Sequence, residues 1–235
     1  MTNSYSPNSR PSRKGRLLYT LFFVVYFAAS LACLRQWSGP HPWSRLDRFS
    51  GGYLLISLLW MLAAGKFLRL ATDAKEIAAE ISGKSYDPRT LIFTMLLPIA
   101  ELTVFLDYGH WHLMSALAQP ALQWAGLALS LAGALLLLWT DRQLLAHFAG
   151  DMTRRGVIET GPYRFVRHPR YLSLLLSRVA FALALASPLA WGFALLWFLV
   201  LARRIHLEEA HLRKIFCPDY AAYVRRTSRL LPGVF

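Results

Sequence analysis

The sequence predicts an all-α integral membrane protein: about six hydrophobic helices, the last two forming a Pro-broken C-terminal helical hairpin, with a cytoplasmic cap. Three observations predict it. Hydrophobic residues make up 55% of the 235 and the mean hydropathy is +0.35, too apolar for an ordinary soluble domain. Four apolar runs, 17–34, 51–65, 90–106 and 117–140, have the length and composition of membrane helices. A fifth, 171–202, would be about 48 Å long as one helix at ~1.5 Å per residue, well beyond the ~30 Å hydrocarbon core. It therefore folds back.

The elements follow in chain order. Residues 1–16, rich in Ser, Asn, Pro and Arg, read as a disordered cytoplasmic tail. Residues 17–140 read as the N-terminal membrane helices; the first has the basic lead of a signal peptide, but the later spans favour an uncleaved anchor. Between the second and third, Ala74, Ile77, Ala78 and Ile81 recur at helical spacing opposite Asp73, Lys75, Glu76 and Glu80, which predicts an interfacial helix over about 73–82. Ser187-Pro188 breaks the fifth run, since Ser is a good N-cap and Pro is tolerated at the first helical position but not inside a helix. Two helices result, 171–186 and 188 to about 216. Residues 141–235 form a separate functional region whose cap comes from 142–170 and from 203 onward. Gly156, Gly161, Pro162 and Pro169 prevent one continuous helix through the first of these segments.

Lys and Arg number 26 against 13 Asp and Glu, a net charge of +13. Such an excess suits nucleic acid, but its distribution follows membrane topology instead. With both termini cytoplasmic, the tail, the second loop (Lys66, Arg69, Lys75, Lys84, Arg89), the fourth loop (Arg142, Arg154, Arg155, Arg164, Arg167, Arg170) and the C-terminus all lie inside. Only Arg35, Arg45 and Arg48 fall outside. A multi-pass protein of the cell membrane, with the bilayer as its partner and no nucleic acid, is the expectation.

Polar chemistry concentrates at one face. Gly161-Pro162-Tyr163-Arg164-Phe165-Val166-Arg167-His168-Pro169-Arg170-Tyr171 enters the hairpin, and Arg203-Arg204-Ile205-His206-Leu207-Glu208-Glu209 leaves it, so both clusters return to the same side. A fixed cation, an imidazole and a phenol on proline-restricted backbone suit a polar or anionic cofactor. The same arginines and tyrosines, taken singly, also suit lipid phosphates and the interfacial aromatic belt. Glu208 and Glu209 shift that balance, because adjacent acids ending a membrane helix are unusual in a chain so poor in them. They point about 100° apart, so at most one faces a given pocket squarely. Arg204 and Glu208, four apart, share a helix face: either a surface ion pair or the lining of a cavity with His168 and Tyr171.

Within the apolar runs, Glu101 and Arg178 are costly unless paired or functional; they pair with each other or serve an acceptor tunnel. His110-Trp111-His112 reads as an aromatic belt segment, and His206 and His211, about 140° apart on a helix, do not make a zinc pair. No metal is expected. Cys33 and Cys217 form no redox motif.

The ordered set Gly161-Pro162-Tyr163, Arg167-His168-Pro169-x-Tyr171, Glu208-Glu209, Phe216, Tyr220, Tyr223 and Leu231-Pro232 resembles the isoprenylcysteine carboxyl methyltransferase family, integral membrane enzymes related to the phospholipid methyltransferases. The resemblance covers roughly residues 140–232. It implies S-adenosyl-L-methionine as cofactor. By position it implies a cofactor-binding set of Arg155, Gly156, Val157, Ile158, Tyr163, Arg167, His168, Pro169, Arg170, Tyr171, Glu208 and Glu209, with Arg204 facing the methyl acceptor. Arg204, Glu208 and His168 would then carry catalysis. Two positions depart from the family's habit of glycine: Ser173, which should pack nearly as closely, and Cys217.

Methyl transfer to a lipophilic or small acceptor, with carboxyl O-methylation ahead of N- or S-methylation, is the leading expectation. A carboxylate acceptor needs only Arg204, whereas an amine or thiol needs a proton acceptor, for which His168 or Glu209 is a candidate. Two other readings remain. NADPH-dependent membrane sterol or enone reductases carry a similar Arg-His-Pro-x-Tyr segment, usually followed by an acidic residue that Tyr171-Leu172-Ser173-Leu174 lacks. A lipid-binding protein without turnover would tolerate loss of Glu208 and Arg204. The acceptor and the oligomeric state are not readable from the sequence.

Overall fold

The structure, a computed structural model, describes residues 13–34, 48–70, 99–111, 119–148 and 156–233, with residues 96 and 113. The interfacial helix expected at 73–82, residues 1–12 of the tail, His112 and Arg155 lie outside the described residues. All the regular elements described are helical, with one isolated bridge between Val166 and Ser228. Helix α1 spans Arg13–Leu34 and α2 spans Arg48–Leu70. Residues 99–106 form α3, which runs into a π-helical turn over Asp107–Trp111. Helix α4 spans Pro120–Phe148, α5 Pro169–Ala184, α6 Pro188–Ile215 and α7 Asp219–Arg226.

Among the described residues, two helices, α4 and α6, are long and apolar enough to cross a membrane. With 28 residues, α6 is about 42 Å long. Both outrun their apolar stretches: α4 continues past Thr140 to Phe148, and α6 past Ala202 to Ile215. The boundary read at residue 140 therefore falls inside a helix. Hydropathy stops where polar residues begin, but helical hydrogen bonding does not. Residues 13–16 are likewise the first turn of α1 rather than tail.

The turn between α5 and α6 forms where the sequence places it, though by a different bond. Pro188 is the first residue of α6 and Ala186 takes a positive φ of 48°. The Ser187 hydroxyl makes no cap to the helix; it donates instead to Oδ2 of Asp107, whose Oδ1 accepts from the Leu113 amide at 3.0 Å. Asp107, only 2% exposed, thus ties the hairpin apex to the end of α3.

One end of the bundle collects several element ends. A Cβ on Gly109 would stand 2.7 Å from the Cys33 carbonyl oxygen, so the π turn meets the end of α1. Arg48, opening α2, lies over the rings of Phe49 and Trp124, opening α4. Gln123 donates to the Ala184 carbonyl at 3.1 Å. The main core fills this end, from Phe49, Tyr53, Val104, Phe105, Leu127, Phe181 and Leu185. Its aromatic rings meet at an angle, as with Phe105 and Phe181 at 5.5 Å and 83°.

Helix α4 packs on α5 through small residues. Gln123, Gly126, Ser130, Gly133, Leu137 and Thr140 fall three or four apart and are buried. A Cβ on Gly126 would stand 2.5 Å from the Ala184 nitrogen, and one on Gly133 would stand 3.3 Å from the Ser173 carbonyl oxygen. The backbones approach because neither helix interposes a side chain there. Ser173, where the family habit is glycine, fits fully buried: the opposing glycine leaves the space, and its hydroxyl donates to the Arg170 carbonyl at 2.7 Å.

Midway along the bundle, Arg178 on α5 pairs with Oε1 of Glu101 on α3, and Tyr26 on α1 donates to Oε2. Of the two expectations for these residues, the structure contains the mutual pairing.

Candidate active site

The end opposite the hairpin apex holds the polar cap. Its floor is the last turns of α4, its front the segment 156–168, and its back the charged extension of α6 with α7. Gly161 explains how the segment turns onto α4: its φ is +61°, and a Cβ there would stand 2.6 Å from Gln143 Cγ. Only glycine satisfies both. Pro162 and the following residues make a 3₁₀ turn over Gly161–Arg164, and Pro169 opens α5 at the position where its missing N–H costs nothing.

The C-terminal segment holds this front in register. Arg167 N donates to the Ser228 carbonyl at 2.8 Å and His168 N to the Arg229 carbonyl at 3.0 Å. Tyr223 donates to the Tyr163 carbonyl at 2.7 Å, and Arg167 Nη1 donates to the Val224 carbonyl at 3.3 Å and to that of Thr227. Tyr220 and Tyr223 are buried, and burial raises both phenols, so they stay protonated. These tyrosines hold the cap together.

Glu208 and Glu209 face different partners, as their 100° offset requires. On one side, Tyr171 OH accepts from Arg204 Nε at 2.7 Å and donates to Glu208 Oε2 at 2.6 Å. The phenol bridges the two α6 residues that share a face, and so joins the helices of the hairpin. On the other side, Glu209 is 2% exposed and caged by bases: Arg167 Nε at 2.8 Å, Arg229 Nε at 3.2 Å, Arg213 Nη2 at 3.7 Å and His168 Nε2 at 3.4 Å. Burial alone would raise this carboxyl, but the contacts from His168 and Arg167 and their charges outweigh it and hold it at about 2.

His168 links the two arrangements. Its ring stacks on Tyr171 at 5.6 Å and 25°, and its Nε2 faces Glu209 at ion-pair distance without the alignment of a hydrogen bond. Arg170 Nε donates to Asp141 Oδ1 at 3.1 Å. Tyr163 is raised by burial, with Arg170, Glu208 and Asp141 all close enough to act on it.

Of the residues expected at the site, His168, Tyr171, Arg204 and Glu208 come together directly, and Arg167 and Glu209 support them from behind. Pro169, Arg170 and Tyr163 flank them. Val157 and Ile158 are half-buried on the extended segment, and Gly156 is exposed with open space around it. Among the described residues no group of three His, Cys, Asp or Glu could hold a metal ion. Sequence reasoning passed over Asp141, Arg213 and Arg229. Asp141 had a signal, an acid directly after an apolar run; the two arginines sit among many.

Residues 121–219 match the family model described as phospholipid methyltransferase. The chain is also similar to proteins named as protein-S-isoprenylcysteine O-methyltransferases. It is 33% identical over 79 residues to the "Probable protein-S-isoprenylcysteine O-methyltransferase" of Oryza sativa subsp. indica, covering 33% of this chain and 41% of that protein. Arabidopsis thaliana "Protein-S-isoprenylcysteine O-methyltransferase B" is 32% identical over 79 residues, 33% of this chain and 40% of that protein. Its counterpart "Protein-S-isoprenylcysteine O-methyltransferase A" is 32% identical over 80 residues, 34% and 41% respectively. The chain thus spans about two fifths of the length of the curated relatives it matches. No solved structure matches.

Proposed function

We propose that the protein is an S-adenosylmethionine-dependent, multi-pass membrane methyltransferase that esterifies a carboxylate on a lipophilic or small acceptor. The observation that carries this reading is the bridge Arg204–Tyr171–Glu208 with His168 stacked beside it. The match to the phospholipid methyltransferase family model supports methyl transfer, and the relatives named as O-methyltransferases favour oxygen. Six hydrophobic helices would carry the site, with both termini and the cap in the cytoplasm, where the basic loops would lie.

The residues present fit the donor. A cationic sulfonium ligand needs acidic partners, and Glu208 offers one carboxylate oxygen beyond that engaged by Tyr171. When bound, the donor supplies a methyl group already activated for displacement. The chain has only to bind, align and exclude water. Arg204 would hold an ionised carboxylate acceptor toward the activated methyl group that the bound donor would supply. No proton moves, so no general base is required. Tyr171 keeps the Arg204 and Glu208 sides at fixed separation, and Glu209, fully occupied by bases, steadies the loop.

Protein incubated with methyl-labelled S-adenosylmethionine and N-acetyl-S-farnesylcysteine is expected to release S-adenosylhomocysteine and to label the acceptor. The label should come off as methanol in mild base, as a methyl ester requires. Glu208→Ala and His168→Ala should lose at least ~10²-fold in turnover, the order expected for removing groups that orient a reacting pair. A base-stable label would move the reading to N- or S-methylation, and unchanged turnover in both variants would remove the site assignment.

A further inference from the structure

Asp141 is placed where it can do more than steady a loop. It sits at the cap end of α4, 5% exposed, against the Arg170 guanidinium. Its two oxygens are unequal. Oδ1 takes Arg170 Nε at 3.1 Å, whereas Oδ2 is buried and has no hydrogen-bond partner among the described residues. A buried carboxylate oxygen left without a donor is destabilising, so it marks a place for one.

The other acids of the cap cannot serve equally. Both Glu209 oxygens are taken, by Arg167 with His168 and by Arg229 with Arg213. Glu208 Oε2 is taken by Tyr171, and its other oxygen is the one assigned above to the sulfonium side of the donor. In a cap crowded with Arg164, Arg167, Arg170, Arg203 and Arg204, Asp141 Oδ2 is, among the described residues, a buried carboxylate oxygen without a hydrogen-bond donor. The strongest donor for an ionised carboxylate is a cationic N–H.

Resting on the methyl-donor reading above, we infer that Asp141 is a cofactor-binding residue whose Oδ2 accepts a hydrogen bond from the ammonium group at the amino-acid end of the donor. Arg170, held on Oδ1, sets the carboxylate plane. Neither the family motifs nor the matched region's name assigns this residue a role.

The full-length protein in detergent tests this by titration with S-adenosylhomocysteine and with its analogue lacking the α-amino group. Wild-type protein is expected to prefer the amine-bearing ligand by ~10-fold or more, the order of one charge-assisted hydrogen bond. Asp141→Asn should shrink that preference to under ~3-fold while still binding the desamino analogue as wild type does. A preference that survives in Asp141→Asn would overturn the assignment. So would wild-type protein that binds both ligands equally, a result that needs no variant to fold. Wild-type protein that binds neither would instead overturn the methyl-donor reading itself, and this assignment with it.

Discussion

Glu101→Ala is expected to destabilise the protein by about 3–5 kcal/mol, because it strands the Arg178 cation in the middle of an apolar bundle. Arg178 is 14% and Glu101 12% exposed at the side chain, and Tyr26 holds the second carboxylate oxygen, so nothing nearby replaces the lost charge. The three residues come from α5, α3 and α1, which makes the cluster a staple between the hairpin and the helices before it. A staple predicts a particular recovery: Glu101→Leu combined with Arg178→Met should restore most of the stability, since a buried ion pair seldom outperforms well-packed apolar side chains. Denaturant titration in micelles checks the first statement and the double variant's turnover the second. A double variant that folds and binds S-adenosylhomocysteine but no longer turns over would show that the cluster also serves the acceptor.

Glu209→Gln is expected to loosen the cap by roughly 3 kcal/mol. Removing this charge leaves Arg167, only 7% exposed, without its counter-ion and buried His168 without its neighbouring carboxylate, and these residues anchor the 156–168 segment to the C-terminus. The carboxyl is held at about 2 against an ordinary 4.5. A lowered folded-state value means that its contribution is complete above about pH 4.5 and is lost as the pH falls toward 2. Wild-type melting temperature should therefore drop over that interval by more than that of Glu209→Gln, whose own profile lacks this component. Scanning calorimetry at pH 6 and at the lowest pH the micelles tolerate measures the difference. Parallel profiles would show that the cage contributes nothing to stability.

The hairpin break at Ser187-Pro188 could be read in advance because proline chemistry is local and the length limit of a bilayer is general. What Ser187 bonds to could not, since its partner Asp107 lies 80 positions away. The convergence of Arg204, Tyr171 and Glu208 followed from the topology of a hairpin and from four-residue spacing on one helix. Glu209 was harder. Its offset from Glu208 predicts a different face, but two of the three arginines that fill that face, Arg213 and Arg229, stand among 26 basic residues with nothing in their spacing to single them out; only Arg167 lay in the motif. The α4–α5 contact was missed for another reason: its stripe differs from the rest of α4 in side-chain size, not in polarity, and hydropathy patterns do not register size. Gly126 and Gly133, seven apart, were the available clue.

The central claim is that the methyl donor binds between the entry to α5 and the charged extension of α6. Isothermal titration of S-adenosylhomocysteine into detergent-purified protein, with Glu208→Ala beside it, tests this most directly. Micromolar binding by wild-type protein that falls by ~10-fold or more in the variant is the predicted result. Wild-type protein that fails to bind in micelles and again in lipid nanodiscs, or a variant that binds as tightly as wild type, would contradict it.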